Sequence, residues 1–499
     1  LKNIANDGSM GVFIIGAGMS RIGRREEDSR LLLIEAYREL VEMGADPTVA
    51  EAIYVGVQSE VYEHQIMYGT LAAEALGLLP REAYRVEACA AAGALALRSA
   101  YMAVKSGEVK AALAVGVEKM TARGTEAVTD ALMAASHHID QRSGVTIPAH
   151  YAMVARRYMH QYGATEEDLC MVAVKNHRNA VRNPKAHFQR AITLEECLAS
   201  RPIAAPIKLY DAAPISDGAA IALVASEEVA RKAPTPAVEV VASAVATDTL
   251  SASQRPDLTY PRAVAEAASK AYGRAGLTPK AVEVAEVHDA FTIRGVDVRG
   301  AGVRREGRGL QAGQGGRHVA GGLDSREPQR GAEGQGAPHR RHRPGPDIRA
   351  VSTAHGEGIR QKHRRAGRNR RERRRRELRR SRPHTAGAMT LRYIAEGRLV
   401  GGRCTRCGGA FFPYSPICIH CGGEARPEEV PRSGVVLSYS VVHVSNGRFK
   451  TPYTVAIAKF GDFQLPGYVK EGPVDIGDEV VWEVGELEGD RWYYFRRLR

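Results

Sequence analysis

Seven cysteines stand at Cys89, Cys170, Cys197, Cys404, Cys407, Cys418 and Cys421, and their spacing divides them into different chemistries. Cys404-Thr405-Arg406-Cys407 and Cys418-Ile419-His420-Cys421 are two C-x-x-C knuckles separated by ten residues. Each knuckle can point two thiolates at one ion, and four thiolates complete a closed tetrahedral zinc site. Gly408-Gly409 and Gly422-Gly423 supply the tight turn after each pair. A thiol–disulfide redox centre has no use for a second pair, so the expected role is structural zinc held by Cys404, Cys407, Cys418 and Cys421. Such a site keeps no open coordination position and is assigned no catalysis, and His420 is a bystander. Cys89 sits differently, in Val86-Glu87-Ala88-Cys89-Ala90-Ala91-Ala92-Gly93-Ala94, between a strand-like segment and a helix of small residues. A helix N-terminus lowers a thiol pKa and offers backbone N–H groups to an oxyanion, which suits a nucleophile. The competing reading of an isolated cysteine is a buried packing residue. Cys170 and Cys197, in polar helical stretches, take that reading.

The elements that would position Cys89 follow from periodicity. Residues 11–16, 52–57 and 109–116 are short apolar runs, while 29–43 and 90–106 carry apolar residues at helical spacing. Strands separated by helices of this length predict an α/β domain with a largely parallel sheet. A second set follows, with strands at 237–245 and 282–287 and a helix at 260–275, and the pattern stops at Ile293. It resumes at Met389 with a short helix near 390–396, the cysteine knuckles, and alternating strands such as 435–444 and 452–460. Residues 433–497, with the turn Val474-Asp475-Ile476-Gly477-Asp478, fit a five-stranded OB barrel. Gly16-Ala17-Gly18-Met19-Ser20-Arg21-Ile22-Gly23 lacks the dinucleotide spacing and reads as a structural turn.

Charge is distributed unevenly over the 499 residues. The chain carries +13, but 294–388 alone holds 26 Lys plus Arg against 9 Asp plus Glu, so the remainder is at −4. These 95 residues contain no Phe, Tyr, Trp, Cys or Met and cannot bury a core, so disorder is expected there. An Arg/Gly-rich arm could bind RNA electrostatically, but without aromatic stacking platforms a nucleic-acid partner is not the expectation. No run of eighteen apolar residues and no export-signal pattern occur, which predicts a cytoplasmic protein without a membrane partner. Residues 1–9 read as an upstream extension with no assigned role.

Four segments, in order, resemble the thiolase family. The Cys89 motif is one; Gly116-Val117-Glu118-Lys119-Met120-Thr121 resembles the strand end that follows the nucleophile helix. Asp211-Ala212-Ala213-Pro214-Ile215-Ser216-Asp217-Gly218-Ala219-Ala220 resembles the segment closing the first half. Glu286-Val287-His288-Asp289-Ala290-Phe291 resembles the active-site motif of archaeal and sterol-carrier-type thiolases. The resemblance implies an α/β thiolase fold, layered αβαβα. It also implies an acyltransferase acting on CoA thioesters, an acetyl-CoA C-acetyltransferase or 3-ketoacyl-CoA thiolase. Cys89 would accept the acyl group and His288 would help bind the thioester oxyanion, directly or through water. A homo-oligomer is expected. One branch of such folds works as a retro-aldolase in which the cysteine is not the acyl carrier. A non-catalytic acyl-CoA or nucleic-acid binding protein is the alternative of a different class.

The family also requires a Gly-His-Pro motif whose His activates the cysteine, and it is absent from the sequence. The codons allowed for Ala332-Glu333-Gly334-Gln335-Gly336-Ala337-Pro338-His339-Arg340-Arg341-His342-Arg343, read one base later, permit Leu-Lys-Ala-Lys-Gly-His-Pro-Ile-Gly-Ala-Thr-Gly. Met389-Thr390 must begin ATGAC, so the shifted frame ends there in TGA. The second half is therefore expected to be incomplete, replaced by a frame-shifted segment. The resulting division is 1–9 extension, 10–234 first thiolase half, 235–293 start of the second, and 294–388 basic segment. Helix and zinc ribbon at 389–430 and an OB domain at 431–499 complete it. The last two resemble the zinc-ribbon and OB proteins that accompany thiolases and bind acyl-CoA. That resemblance implies CoA thioesters as ligands and a hydroxymethylglutaryl-CoA synthase-like or other acyl-CoA enzyme as a further partner.

Overall fold

Strand formation in the first half follows from continuous apolar runs, since a strand covered on both faces has no polar side. The structure, a computed structural model, describes residues 11–296, 394–395 and 397–498. In it β1 (Val12–Met19), α1 (Ser29–Glu42), β2 (Ala52–Gly56), α2 (Tyr68–Ala75), β3 (Glu82–Val86), α3 (Ala92–Ser106) and β4 (Ala111–Lys119) succeed one another. All five residues of β2 are buried. Asp28 caps α1 by accepting from the Leu31 N–H, and α3 stops at Gly107, whose positive φ of 80° a side chain would resist.

The sheet runs β3-β2-β4, then the strands Asp217–Ser226, β1 and Val238–Glu239. Pairing is parallel only among β3, β2 and β4; every later pairing is antiparallel. The expected largely parallel sheet is thus a mixed one, because Asp217–Ser226 inserts in the middle of the sheet against the direction of β4. One face buries Leu32, Leu33, Ala36 and Leu40 of α1; the other buries Ala96, Ala100 and Val104 of α3. The glycines of 16–18 lie inside β1 rather than in a turn. A Cβ at Gly18 would stand 2.1 Å from the Ala36 carbonyl oxygen, so glycine there lets α1 press onto the strand.

Cys170 and Cys197 are fully buried, as their packing assignment requires, but they are joined by a disulfide across 27 residues. Isolated packing cysteines are therefore the wrong description; the bond ties helix Glu166–Ala180 to helix Leu194–Leu198.

The region after 235 is thinly packed. Of the strand expected at 237–245 only Val238–Glu239 forms, and none forms at 282–287. Helix Arg262–Ala275 is amphipathic, yet no residue of it is buried. Val241, Val264 and Val284 are exposed on the same region, which leaves apolar surface uncovered and strand-forming residues without a neighbouring strand. The basic stretch and the extension lie outside the described residues, apart from 294–296 in the short helix Thr292–Val296. Of the helix expected near 390–396, Ile394 and Ala395 alone lie among the described residues, and they form a short strand.

The C-terminal barrel has five strands, Ser433–Val442, Tyr453–Phe460, Phe463–Val469, Glu479–Leu487 and Asp490–Arg497. The third pairs with the fifth in parallel, the fifth with the fourth, the fourth with the first, the first with the second, and the second with the third, which closes the ring. Its interior is aromatic, with Phe460, Phe463, Trp482, Trp492 and Phe495 buried. The first barrel strand also pairs outward, Val441 with Ala205 and Val442 with Ala204, so the strand Pro202–Ala205 of the first half extends the barrel sheet. Helix Ile147–Tyr162 packs on this strand: Arg156 donates to the Tyr439 carbonyl at 2.9 Å and stacks over its ring at 4.0 Å. Ser438 donates to the Met153 carbonyl at 2.7 Å.

Candidate active site and metal centre

Cys89 lies where β3 passes into α3 through a single 3-10 turn, Cys89–Ala91. Its φ is +49°, a left-handed conformation that a residue with a Cβ adopts at a cost of about 1–3 kcal/mol. Such strain persists where the surrounding packing fixes it, and that packing is visible. A Cβ on Gly56 at the end of β2 would lie 2.4 Å from the Ala92 backbone, so β2 and the start of α3 are in direct contact. The Cys89 N–H donates to Glu87 Oε1 at 2.8 Å. A helix start lowers a thiol pKa, but here burial pushes it up, against the pull of the Ala90 N–H and the Gln58 amide. Desolvating a thiolate outweighs the partial charge of a short helical turn here, and the thiol therefore needs a base to become a nucleophile.

Three residues around the sulfur escaped the sequence reading or entered it only as part of a motif. Gln58 Nε2 lies 3.8 Å from Cys89 Sγ. Gln58 Oε1 accepts from the Tyr62 hydroxyl, and the Gln58 N–H donates to Glu118 Oε1. Glu118 is half-buried with its other oxygen shut off from solvent and unpartnered, and desolvation pushes its carboxyl up to about 7. A Gln and a Tyr four residues apart in a turn carry no sequence signal for such a role.

The four motif segments are linked one to the next. The Glu118 network joins the second motif to Cys89. Next along the strand, the Lys119 ammonium pairs with Asp217 of the third motif at 2.7 Å, and the Thr121 N–H donates to the same carboxylate at 2.8 Å. The third motif meets the fourth where the Ala213 N–H donates to the Ala290 carbonyl at 2.8 Å and Ala212 bridges Phe291. Thr292 Oγ1 then donates to Asp211 at 2.9 Å. His288 itself is exposed on an irregular segment, and among the described residues no hydrogen bond links it to Cys89. Its neighbour Asp289 accepts from Asn176 Nδ2 at 2.7 Å.

In the ribbon, Cys404 Sγ stands 3.5 Å from Cys421 Sγ and Cys407 Sγ 3.7 Å from Cys418 Sγ. All four sulfurs lie within 4.8 Å of one another. Bonds of about 2.3 Å in a zinc tetrahedron separate sulfurs by about 3.8 Å, so the set fits zinc. The N–H groups of Arg406 and Cys407 donate to Cys404 Sγ and that of His420 to Cys418 Sγ, as charged thiolates require. The His420 ring stands edge-on to Phe411 and is not part of the sulfur cluster. Gly408 and Gly422 carry φ of +70° and +69° in the turns after each knuckle. The zinc is structural.

A strained cysteine at a strand-to-helix junction, followed by a four-thiolate ribbon and a closed barrel, marks a thiolase-type protein with an appended zinc module. Comparison with known proteins agrees. The family described as thiolase, N-terminal domain, matches residues 12–228, thiolase C-terminal domain-like matches 244–325, and ChsH2, rubredoxin-like zinc ribbon domain, matches 393–426. An acetyl-CoA acetyltransferase of Methanothermobacter thermautotrophicus is 40% identical over 306 residues, 60% of this chain and 79% of that protein. The benzoylsuccinyl-CoA thiolase subunit BbsB of Thauera aromatica is 34% identical over 290 residues, 56% of this chain and 72% of that one. Among solved structures, an Ltp2-ChsH2(DUF35) aldolase aligns with TM-score 0.51 and 27% identity, covering 60% of this chain and 78% of its own. The chain belongs to the thiolase family. No helix among the described residues is long and apolar enough to cross a membrane.

Proposed function

We propose that this protein transfers acyl groups between CoA thioesters through Cys89. The carrying observation is the Cys89 backbone, held at positive φ where β3 turns into α3, with the Gln58 amide 3.8 Å from its sulfur. The Cys89 thiolate attacks the acyl-CoA carbonyl, the carbonyl oxygen becomes an oxyanion, and CoA leaves as its thiolate. A CoA enolate or free CoA then takes the acyl group from the enzyme thioester. His288 is assigned to the oxyanion of that thioester. The similarity to acetyl-CoA acetyltransferases favours acetyl-CoA as donor. Incubation with acetyl-CoA should leave an acetyl group on the peptide carrying Cys89, readable by mass spectrometry. Transfer of label from a Cys89→Ala variant would sink this reading.

A retro-aldolase is the second reading, favoured by the similarity to an Ltp2-ChsH2(DUF35) aldolase and by the ChsH2-type zinc ribbon of this chain. A Cys89→Ala variant that still splits a β-hydroxyacyl-CoA would establish it over acyl transfer.

The activating histidine belongs to the restored frame of 294–388 and not to the chain as it stands. Two observations support that reading: the exposed apolar surface of helix Arg262–Ala275 and the missing strand at 282–287. The chain then binds CoA thioesters and turns them over poorly.

A further inference from the structure

The half-buried environment of Cys89 raises the question of what steadies its thiolate once formed. Among the described residues, the side-chain donor within hydrogen-bond reach of the sulfur is the Gln58 amide, at 3.8 Å. An amide can face the sulfur with either end, and only the NH2 end stabilises negative charge there. The choice is made by Tyr62. Its ring is buried, and burial pushes its phenol pKa well up, so the hydroxyl stays protonated and must donate. Its acceptor is Gln58 Oε1, which turns the NH2 end toward Cys89. The Gln58 main chain is fixed independently, because its N–H donates to Glu118 Oε1 across 60 residues of sequence. Arg85 steadies the same loop from the other side by pairing with Glu60 at 2.9 Å.

We infer that Gln58 is a further catalytic residue, whose amide hydrogen bond holds the Cys89 thiolate, and that Tyr62 and Glu118 are positioning residues, Tyr62 fixing the direction of that amide and Glu118 the main chain that carries it. The inference rests on Cys89 being the nucleophile and adds which groups make it one. A neutral donor to an anion in a partly buried site is stronger than the same bond in water, because little solvent competes for the sulfur. Gln58 also does this without adding positive charge beside the Glu118 carboxyl.

The test is the pH dependence of Cys89 alkylation by iodoacetamide in the full zinc-loaded chain, read on the peptide that carries Cys89. Gln58→Ala should raise the midpoint by about one pH unit, a roughly tenfold loss of thiolate near neutrality. Gln58→Glu, nearly isosteric, should raise it further, because a carboxylate replaces the donor. Tyr62→Phe should move it in the same direction by less, since the amide becomes free to turn. Unchanged midpoints in Gln58→Glu and Tyr62→Phe, in chains with wild-type circular dichroism, would reduce Gln58 to a packing residue and overturn the inference. An unmodified Cys89 at every pH in the wild-type chain would overturn the nucleophile assignment and, with it, this one. Reaction at Cys89 with unmoved midpoints would overturn the Gln58 role alone.

Discussion

The Lys119 ammonium and the Asp217 carboxylate lie 2.7 Å apart, both buried, at the point where the strand after the nucleophile helix meets the strand that closes the first half. Asp217 also accepts from the Thr121 N–H, the Thr121 hydroxyl and the Arg25 N–H, so both its oxygens are satisfied. Burial pushes this carboxyl up, but Lys119 and Thr121 overcome that and hold it below its ordinary value. A buried pair of this kind locks β4 to Asp217–Ser226 in one register. Removing one member strands the other charge away from water.

Asp217→Asn should therefore cost about 3–5 kcal/mol in urea unfolding, measured by circular dichroism, with a smaller loss when Lys119→Met is added. Because the folded carboxyl is depressed, its stabilisation is present above the ordinary carboxylate pKa and is lost as pH falls through the lower folded value. The acid limb of stability below about pH 4 should flatten in the variant.

Glu118 has the opposite sign. Its carboxyl is raised to about 7 by burial, so the folded state prefers the protonated form. Stability is fully present below the unfolded pKa near 4.5 and declines as pH rises to about 7. The expected decline is about 3 kcal/mol, and Glu118→Gln should remove it from a plot of unfolding free energy against pH.

Metal analysis should find one zinc per chain, bound by the Cys404, Cys407, Cys418 and Cys421 thiolates. Strong chelation or Cys404→Ser should unfold the ribbon, since four thiolates without an ion have no other reason to converge. Thermal melting is expected to split, with the Cys89 domain keeping its transition.

Arg156 joins the first half to the barrel through the Tyr439 carbonyl and ring, and is itself held by the Ala205 carbonyl at 3.3 Å. Arg156→Ala should loosen the barrel from helix Ile147–Tyr162 by about 1–3 kcal/mol. Faster amide exchange confined to 202–205 and 439–442 is the readout, and unchanged exchange there would show that the strand pairing alone holds the two together.

DNA encoding 285–395 should show one base gained or lost against a continuous thiolase frame. Expression of the corrected first frame should restore the Gly-His-Pro histidine and bury the apolar face of helix Arg262–Ala275, with acetyl-CoA-dependent turnover rising accordingly. An intact frame would place the basic segment in the native chain and leave Cys89 without the family's activating histidine.

The zinc cysteines, the place of Cys89 ahead of a small-residue helix, and the five barrel strands were legible in the sequence because each depends on neighbours a few residues away. Knuckle spacing, strand alternation and a glycine stop are local geometry. The direction of Asp217–Ser226, the Cys170–Cys197 bond, and the pairing of Ala204 and Ala205 with the barrel depend on segments 27 to more than 200 residues apart. So does the environment of the nucleophile. Helix position alone predicts a lowered thiol pKa, whereas packing raises it and brings Gln58 to the sulfur from 31 residues upstream. Sequence determined which residues could do chemistry; burial and long-range contact decided their protonation and their partners, because solvent exclusion is a property of the folded surface and not of the chain.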